Sequence, residues 1–259
     1  MTSVIQSTVE VVENVQLARD TWRIRLACPE LARLIRPGQF LMLRSADGSD
    51  PLLGRPFALY DTVLENDKPI AIDVVYLVIG KLTRLLATLT HRDRLIVWGP
   101  LGNGFPSLPF MSHMGLIAGG IGQTPFLAYA RALLGLRGYG GQPAQKSVDR
   151  VSLFYGARQS ELLAGVDDFR EVGIEVNLAT DDGSEGYHGF VTDLLKSQSF
   201  PDHLVGCGPE PMLEVLSRIA EKNQIPCHVS LETPMACGVG ACFSCVTKIK
   251  TDDGWDYKR

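Results

Sequence analysis

Three of the six cysteines lie close together near the C-terminus, as Cys237, Cys242 and Cys245. Their C-x4-C-x2-C spacing is the plant-type spacing of a [2Fe–2S] centre, in which thiolates bind the iron. Gly238 and Gly240 let the backbone pass close to such a cluster, where side chains would obstruct it. Disulfides and a structural zinc are the alternatives. An acidic chain without a signal peptide disfavours disulfides, and zinc sites more often show paired C-x2-C units.

The cluster needs a fourth thiolate, and no cysteine follows Cys245. Cys227 lies upstream, on a predicted strand that enters the cysteine-rich segment. Residues 246–250 and 255–258 predict a hairpin whose second strand stops in its middle. We therefore expect the natural chain to continue past Arg259, with a cysteine encoded roughly one to three codons beyond it.

Composition indicates a soluble globular protein. The chain has 259 residues, 45% hydrophobic and 21% charged, which is consistent with two domains. A net charge of −4 argues against a nucleic-acid binder, which would show a basic face. The apolar stretch 114–134 is interrupted by glycines and by Pro125, so it predicts a strand, a turn and a helix instead of a membrane span. The prediction is a cytoplasmic protein with no nucleic-acid or membrane partner.

Residues 4 to about 100 predict a six-stranded antiparallel β-barrel with alternating apolar and polar positions. Predicted strands include 21–28, 39–44, 56–63, 70–79 and 94–98, and the one predicted helix is 82–89. From Gly115 onward, strands alternate with helices, which predicts a parallel α/β sheet. Its predicted strands are 115–118, 151–155, 174–179 and 203–206, and its predicted helices are 124–136, 167–172, 190–196 and 210–223. The expected domains are 1–103, 104–225 and a cluster segment, 226–259.

A glycine turn at Gly119, Gly120 and Gly122 follows a predicted strand and opens a predicted helix. Such a turn places a helix N-terminus against a pyrophosphate. Thr124 and Pro125 begin the helix, where proline loses no hydrogen bond. This pattern indicates a dinucleotide site.

A second turn, Cys207, Gly208 and Pro209, also joins a strand to a helix at the same sheet edge. Cys207 is either a nicotinamide contact or a small buried filler. Residues 180–184 lie on this edge too, and are either a plain turn or contacts to cofactor hydroxyls.

Arg55 and Pro56 open a predicted barrel strand. A guanidinium held there can clamp a diphosphate bidentately, while a flat ring lies on the neighbouring backbone. A solvated arginine is the alternative. Thr83 and the N-terminus of its helix are candidates for a second phosphate contact. Residues 99–105 are either an interdomain turn or a flavin contact.

Together these residues resemble the ferredoxin–NADP reductase superfamily, and within it the electron-transfer subunits of two-component, NAD-dependent dihydroorotate dehydrogenases. The resemblance covers almost the whole chain and includes its ending, 254–259. It implies FAD on the barrel, NAD(H) on the α/β domain and a [2Fe–2S] cluster on Cys237, Cys242 and Cys245. The implied cofactor-binding residues are Arg55, Pro56, Phe57, Ala58, Val75, Tyr76, Leu77, Leu82, Thr83, Gly119, Gly120, Gly122, Thr124, Pro125, Cys207, Gly208 and Pro209.

The resemblance also implies a partner, an FMN-containing dihydroorotate dehydrogenase catalytic subunit that oxidises dihydroorotate to orotate in a heterotetramer. Three positions depart from the family pattern. Ala58 replaces a hydroxyl residue, and Leu77 and Leu82 replace a frequent arginine and glycine. With the missing fourth cysteine, these departures leave open a degenerate binding module without a working cluster. A second alternative is an equivalent subunit of a hydrogenase or a ferredoxin:NADP transhydrogenase, because such subunits look nearly identical in sequence.

Overall fold

The structure, a computed structural model, describes residues 4–48 and 50–258. Arg259, the last residue of the predicted C-terminal motif, lies outside them. The described residues form an antiparallel sheet, a parallel α/β unit and a C-terminal hairpin. This arrangement confirms the predicted fold class.

The first sheet is curled and antiparallel, and the described residues give it seven strands in the order β4-β3-β7-β1-β2-β6-β5. Its strands are β1 (Ile5–Ala18), β2 (Thr21–Ala27), β3 (Phe40–Ser45), β4 (Arg55–Ala58), β5 (Asp61–Glu65), β6 (Lys68–Leu77) and β7 (Arg94–Leu101). It also carries two short helices, α1 (Pro29–Leu34) and α2 (Lys81–Leu86).

The predicted strand 56–63 is two strands, because the chain crosses from one edge of the sheet to the other. Leu59 N donates to Gln39 O at 3.1 Å, and Tyr60 N donates to Asp73 O at 3.0 Å. These two residues therefore join the edge strands β4 and β5 and draw the sheet into a barrel shape. The predicted count of six strands was one too low for this reason.

Helix α1 was missed by the prediction, which placed a single helix in this domain. Pro29 occupies its first turn, where proline is favoured, and Glu30 follows it. Leu31 is fully buried in the barrel core. A helix of six residues is too short to show a helical period in the sequence.

The second sheet is parallel, with the order β11-β10-β9-β8-β12-β13 in the described residues. Its strands are β8 (Met111–Gly119), β9 (Val148–Ala157), β10 (Glu175–Thr180), β11 (Tyr187–His188), β12 (His203–Cys207) and β13 (Cys227–Ser230). The helices around it are α3 (Phe126–Leu133), α4 (Val166–Glu171), α5 (Val191–Lys196) and α6 (Glu210–Asn223). A 3₁₀ turn, Gly120–Gln123, joins β8 to α3.

Strand β13 pairs in parallel with β12, as Leu204 faces Cys227. The predicted boundary at residue 226 separates these paired strands. We therefore propose that the α/β domain extends to about residue 230 and that the cluster segment begins after it.

The apolar stretch 114–134 forms most of β8, the 3₁₀ turn and α3, as predicted. No helix in the described part of the chain has the length and apolar character needed to cross a membrane. The C-terminal hairpin, β14 (Thr247–Thr251) and β15 (Gly254–Lys258), is also confirmed.

The two domains pack tightly against each other. Tyr60, which follows the flavin strand candidate β4, is 1% exposed and belongs to the apolar core of the α/β domain. Ala128 N of α3 donates to Tyr60 O at 3.1 Å. A direct backbone bond therefore fixes α3 to the barrel.

Candidate cofactor and cluster sites

The cysteine loop, residues 237–245, turns tightly between its predicted iron ligands. Gly238 and Gly240 have φ of +73° and +79°, a region that glycine enters at little cost. A Cβ on Gly238 would lie 2.6 Å from Met42 Cγ and 3.0 Å from Leu101 Cδ1. Glycine at 238 therefore lets the loop lie directly on strands β3 and β7.

The thiols of the loop have the chemistry of metal ligands. Cys242 is exposed, with its Sγ 3.1 Å from Ser244 Oγ. Hydrogen bonds from the side chain and backbone of Ser244, followed by those from Cys237, lower the pKa of Cys242 to about 6. Thiolate is the form that binds iron, so this donor fits a cluster.

The structure brings Cys242 beside Cys237 but does not gather the three thiols at one point. In the described residues, no three His, Cys, Asp or Glu side chains converge as a metal site. Cys227, on β13, has a pKa raised to about 11 by burial and lies outside the loop. The fit to a cluster therefore rests on the thiolate chemistry and on the shape of the loop.

Trp98 connects the cysteine loop to the flavin strand candidate. Its Nε1 donates to Cys237 O at 3.1 Å. On the other side, a Cβ on Gly54 would lie 2.4 Å from Cη2 of the same indole. Gly54 directly precedes Arg55. A role for Trp98 was not predicted, because a single tryptophan on a barrel strand carries no spacing signal.

Arg55 begins β4 and is exposed, as a phosphate clamp requires. Its Nη1 donates to Leu53 O at 3.1 Å and Gly54 O at 3.0 Å. The described residues place no carboxylate against this guanidinium, so its charge is available to an anion. Residues 56–58 continue the strand and are half-buried.

Burial limits how three of the predicted flavin-binding residues can contact a cofactor. Val75 and Leu82 are 3% and 2% exposed and pack in the apolar cores, so only their backbones can reach a cofactor. Tyr76 is 1% exposed and donates to Asn14 Oδ1 at 3.1 Å. Burial raises the pKa of the Tyr76 phenol, which holds its proton inside the barrel. Leu77, at the end of β6, is half-buried.

The hydroxyl of Thr83 already has hydrogen-bond partners within the chain. It accepts hydrogen bonds from Ile79 N at 3.0 Å and Gly80 N at 2.9 Å. These bonds satisfy amides at the start of α2, as a capping side chain does. This hydroxyl therefore caps α2, and the phosphate contact implied for Thr83 stays a prediction.

The two glycine turns of the α/β domain touch each other. A Cβ on Gly122 would lie 2.2 Å from Cys207 O, and one on Gly208 would lie 2.9 Å from Gly119 N. Bare backbone at these positions brings the ends of β8 and β12 together. The structure thus places both predicted dinucleotide turns in one surface at the carboxyl edge of the sheet.

Residues of these turns have two different roles. Gly122, Thr124 and Pro125 are buried, so they shape the turn, and their predicted contact with the cofactor stays a prediction. The surface itself is formed by Gly119, Gly120, Gly208 and Pro209, which are half-buried or exposed.

Cys207 lies between the turns and is half-buried. Burial raises the pKa of its thiol to about 11, so it is protonated at neutral pH. A neutral thiol at this position is compatible with both a packing role and contact with a cofactor ring.

A cavity of about 470 Å³ continues along the same edge of the sheet. Arg158 and Asp181 follow β9 and β10 directly, and Arg19 comes from the barrel. Arg19 binds Glu161 at 2.7 Å and Gln159 at 2.7 Å. Residues 180–184 were singled out from the sequence and Arg158 was not, although the same strand-end rule applies to it. The lining residues are Arg19, Arg158, Gln159, Leu162, Asp181 and Asp182.

Two family descriptions match parts of the chain. Residues 232–259 match the iron-sulfur cluster binding domain of dihydroorotate dehydrogenase B. Residues 116–218 match the oxidoreductase NAD-binding domain. The matched ranges contain the cysteine loop and both glycine turns.

Relatives match over most of the chain. The dihydroorotate dehydrogenase B (NAD(+)) electron transfer subunit of Clostridium acetobutylicum is 35% identical, covering 83% of this chain and 79% of its own length. The subunit of the same name from Geobacillus thermodenitrificans is 36% identical over 92% of this chain and 88% of its own. The one from Fusobacterium nucleatum is 31% identical over 96% and 91%.

Solved structures share the fold. An NADH-dependent reduced ferredoxin–NADP oxidoreductase, studied for flavin-based electron bifurcation, matches with a TM-score of 0.78 and 25% identity, covering 96% of this chain and 84% of that one. A cytochrome P450 reductase from Amycolatopsis matches with a TM-score of 0.71 and 22% identity, covering 90% and 72%. At 22% identity, the likeness to the cytochrome P450 reductase shows a shared fold alone.

Proposed function

The chain belongs to the family of dihydroorotate dehydrogenase B electron transfer subunits, and on that premise we propose that it links NADH to an FMN-containing catalytic partner that oxidises dihydroorotate to orotate. It is an oxidoreductase subunit whose cofactors are FAD, a [2Fe–2S] cluster and NAD(H). We further propose that the two subunits assemble as a heterotetramer.

When bound, the flavin would supply hydride chemistry toward the dinucleotide and one-electron chemistry toward the cluster. The residues of this chain hold and orient these groups. Arg55 and β4 bind the flavin, the turns at 119–122 and 207–209 bind the dinucleotide, and the cysteine loop binds the cluster. Because Gly122 permits contact between the two turns, the dinucleotide surface is continuous.

The observation that carries the proposal is the position of Trp98. Its indole contacts both the cysteine loop at Cys237 and the residue before Arg55. The proposed cluster and flavin surfaces therefore lie on opposite sides of one side chain. An electron carrier needs two redox sites this close, and a plain binding module does not.

Exposed apolar side chains around the cysteine loop support a docking role. Val239 is 53% exposed, Trp255 is 64% exposed and Tyr257 is 66% exposed. Trp255 and Tyr257 are two positions apart on β15, so they lie on one face of the hairpin. Contiguous exposed apolar surface marks protein contact sites. We propose that the catalytic partner covers it, which would bring its FMN near the cluster.

FAD affinity is expected to depend on Arg55. Arg55→Ala removes a charge-assisted contact to a diphosphate, worth about 1.5–3 kcal/mol, and should weaken binding roughly ten- to a hundredfold. Flavin retained after gel filtration of dilute protein measures this. Arg94→Ala, which removes an exposed arginine at the start of β7, is the control and should keep its flavin. Equal flavin content in both variants would refute the assignment.

NADH is expected to be preferred over NADPH because of Asp181 and Asp182. Carboxylates at this strand end would accept hydrogen bonds from ribose hydroxyls and repel a 2′-phosphate. Arg158, which lines the same cavity, acts in the opposite sense, so the prediction is that the two carboxylates outweigh it. Hydrogen bonds from Ser184 lower the pKa of Asp182, which keeps it ionised. Asp181→Arg should raise the NADPH-to-NADH ratio of kcat/KM at least about tenfold, a change of about 1.4 kcal/mol.

Asp167→Arg on α4 is the matched control, since it makes the same charge change at a side chain that is 86% exposed. It should leave the cofactor ratio unaltered. A ratio that moves equally in both variants would show a general charge effect and not recognition at the end of β10.

Identification of the partner tests the function. Affinity-tagged chain purified from its own cells should carry an FMN-containing dihydroorotate dehydrogenase subunit, identified by mass. A hydrogenase subunit or a ferredoxin-dependent partner would overturn the proposal and favour the alternative that the likeness to the ferredoxin–NADP oxidoreductase suggests. Colourless protein would indicate a module without flavin or cluster.

A further inference from the structure

A second cavity, of about 280 Å³, lies between the barrel and the α/β domain. None of its lining residues belongs to the proposed flavin, dinucleotide or cluster surfaces. Arg23 and Arg25 of β2 line it from the barrel, and Arg131 and Arg137 line it from α3 and the chain that follows. Four guanidinium groups around one small cavity are not required by the function proposed above.

The carboxylates of this cavity are already occupied. Both oxygens of Asp73 accept bonds from Arg25, each at 2.8 Å. Asp61 accepts from Tyr139 at 2.6 Å and from Arg137 at 2.8 Å. The remaining acid, Asp168, accepts from the Tyr60 hydroxyl at 2.5 Å. A cation entering the cavity would also meet four guanidinium groups, whose like charge disfavours it.

The donors, in contrast, are in surplus. A guanidinium has five N–H donors. Arg131 has one ion-pair contact in the described residues, from its Nε to Asp61 at 3.2 Å. Arg23 donates through Nη2 to Glu13 at 3.1 Å, and its buried Nε has no hydrogen-bond partner in the described part of the chain. Unpaired buried donors cost free energy unless a ligand or water accepts from them.

We propose that this cavity binds a small oxyanion, a phosphate or a carboxylate, between Arg23 and Arg131. With Glu13 counted, the formal charges of the surrounding side chains balance, so the surplus of N–H donors and not net charge selects an acceptor. The volume lies just below the roughly 300–1,000 Å³ of sites for drug-sized ligands, which suits a small ion and not a nucleotide.

The bound ion would connect the two domains. Arg23 belongs to the barrel and Arg131 to α3, whose preceding turn carries the dinucleotide surface. An oxyanion that accepts from both arginines therefore stabilises the packing of the nucleotide domain against the flavin domain. Its effect on the protein should appear as thermal stability, independently of catalysis.

Phosphate titration of the protein loaded with FAD and saturated with NAD⁺ tests the proposal. Bound FAD and NAD⁺ keep phosphate out of the proposed flavin and dinucleotide surfaces. The melting temperature in chloride at the same ionic strength is the baseline. Phosphate should raise the melting temperature in a saturable manner. Arg131→Gln and Arg23→Gln should each raise the apparent Kd for phosphate at least about tenfold, the effect of about 1.4 kcal/mol. Arg218→Gln on α6, which is 71% exposed, should leave the Kd unaltered.

Malonate in place of phosphate separates the two ligand classes, since the tighter-binding ion identifies the class. Equilibrium dialysis of the tighter-binding ion against the unaltered protein should also give one ion per chain that NAD⁺ does not displace, a result that does not depend on the folding of a variant. Absence of a saturable shift with either ion would overturn the proposal. So would a shift that persists undiminished in Arg131→Gln.

Discussion

Replacing Cys242 with serine is expected to abolish electron delivery to the catalytic partner while NADH still reduces the bound flavin. The Cys242 thiol has a pKa of about 6 and supplies a thiolate at neutral pH. A serine hydroxyl stays protonated there and is a poor iron ligand. The flavin surface on β4 is separate from this side chain, so flavin binding should persist. Iron content, NADH-dependent loss of flavin absorbance and partner reduction are the three measurements.

Cys227→Ser is the matched control. Cys227 lies on β13, outside the cysteine loop, and its thiol has a raised pKa. This variant should keep its iron and its electron delivery. If Cys242→Ser keeps both activities with a full iron content, the cysteine loop does not hold the cluster. If it binds FAD but NADH no longer reduces the flavin, the proposed order of the redox sites is wrong.

Gly122→Ala is expected to weaken NADH binding at least about tenfold, which corresponds to about 1.4 kcal/mol or more. The added Cβ would lie 2.2 Å from Cys207 O, far inside van der Waals contact. The backbone of one turn must move away, because the atom it meets is a main-chain carbonyl. That movement separates the ends of β8 and β12, which together form the proposed dinucleotide surface. Titration of NADH against flavin-loaded protein measures the effect.

Gly141→Asn is the control for this change. A Cβ at Gly141 meets no atom within 4 Å, and asparagine tolerates its φ of +75°. This variant should bind NADH normally. Normal NADH affinity in Gly122→Ala would mean that the two turns do not form the dinucleotide surface together. Loss of FAD as well would indicate general misfolding of the variant.

The α/β domain was predictable because its signals are local. Its last helix, Glu210–Asn223, was predicted with both ends correct. Pro209 and Pro211 lie at its start, where proline is favoured, and the Glu210 carboxylate is favourable in the first turn. Gln224 ends the helix in a left-handed conformation. Strand β12 and the turn after it were found in the same way, from an apolar run followed by glycine and proline.

Features that depend on distant residues could not be predicted in this way. Trp98 and Cys237 are 139 positions apart, and Arg137 and Asp61 are 76 apart. No periodicity or motif spacing connects such pairs, because only the packed fold brings them together.

Whether a side chain is free to bind a cofactor could not be predicted either, because its hydrogen-bond partners come from distant parts of the chain. The resemblance implies that Tyr76 and Thr83 bind the flavin, but their hydroxyls already have hydrogen-bond partners within the chain. Asn14 accepts from the tyrosine, and amides at the start of α2 donate to the threonine. These partners become visible only when the strands and helices are packed together.

Dihydroorotate-dependent reduction of NAD⁺ by the two purified subunits tests the central claim most directly. The FMN-containing catalytic subunit and this chain, loaded with FAD and cluster, are assayed separately and together for NADH formation. NADH should appear only when both are present, since the proposed dinucleotide surface lies on this chain. No NADH from the combined, fully loaded subunits, or equally fast NADH formation by the catalytic subunit alone, would contradict the proposed function.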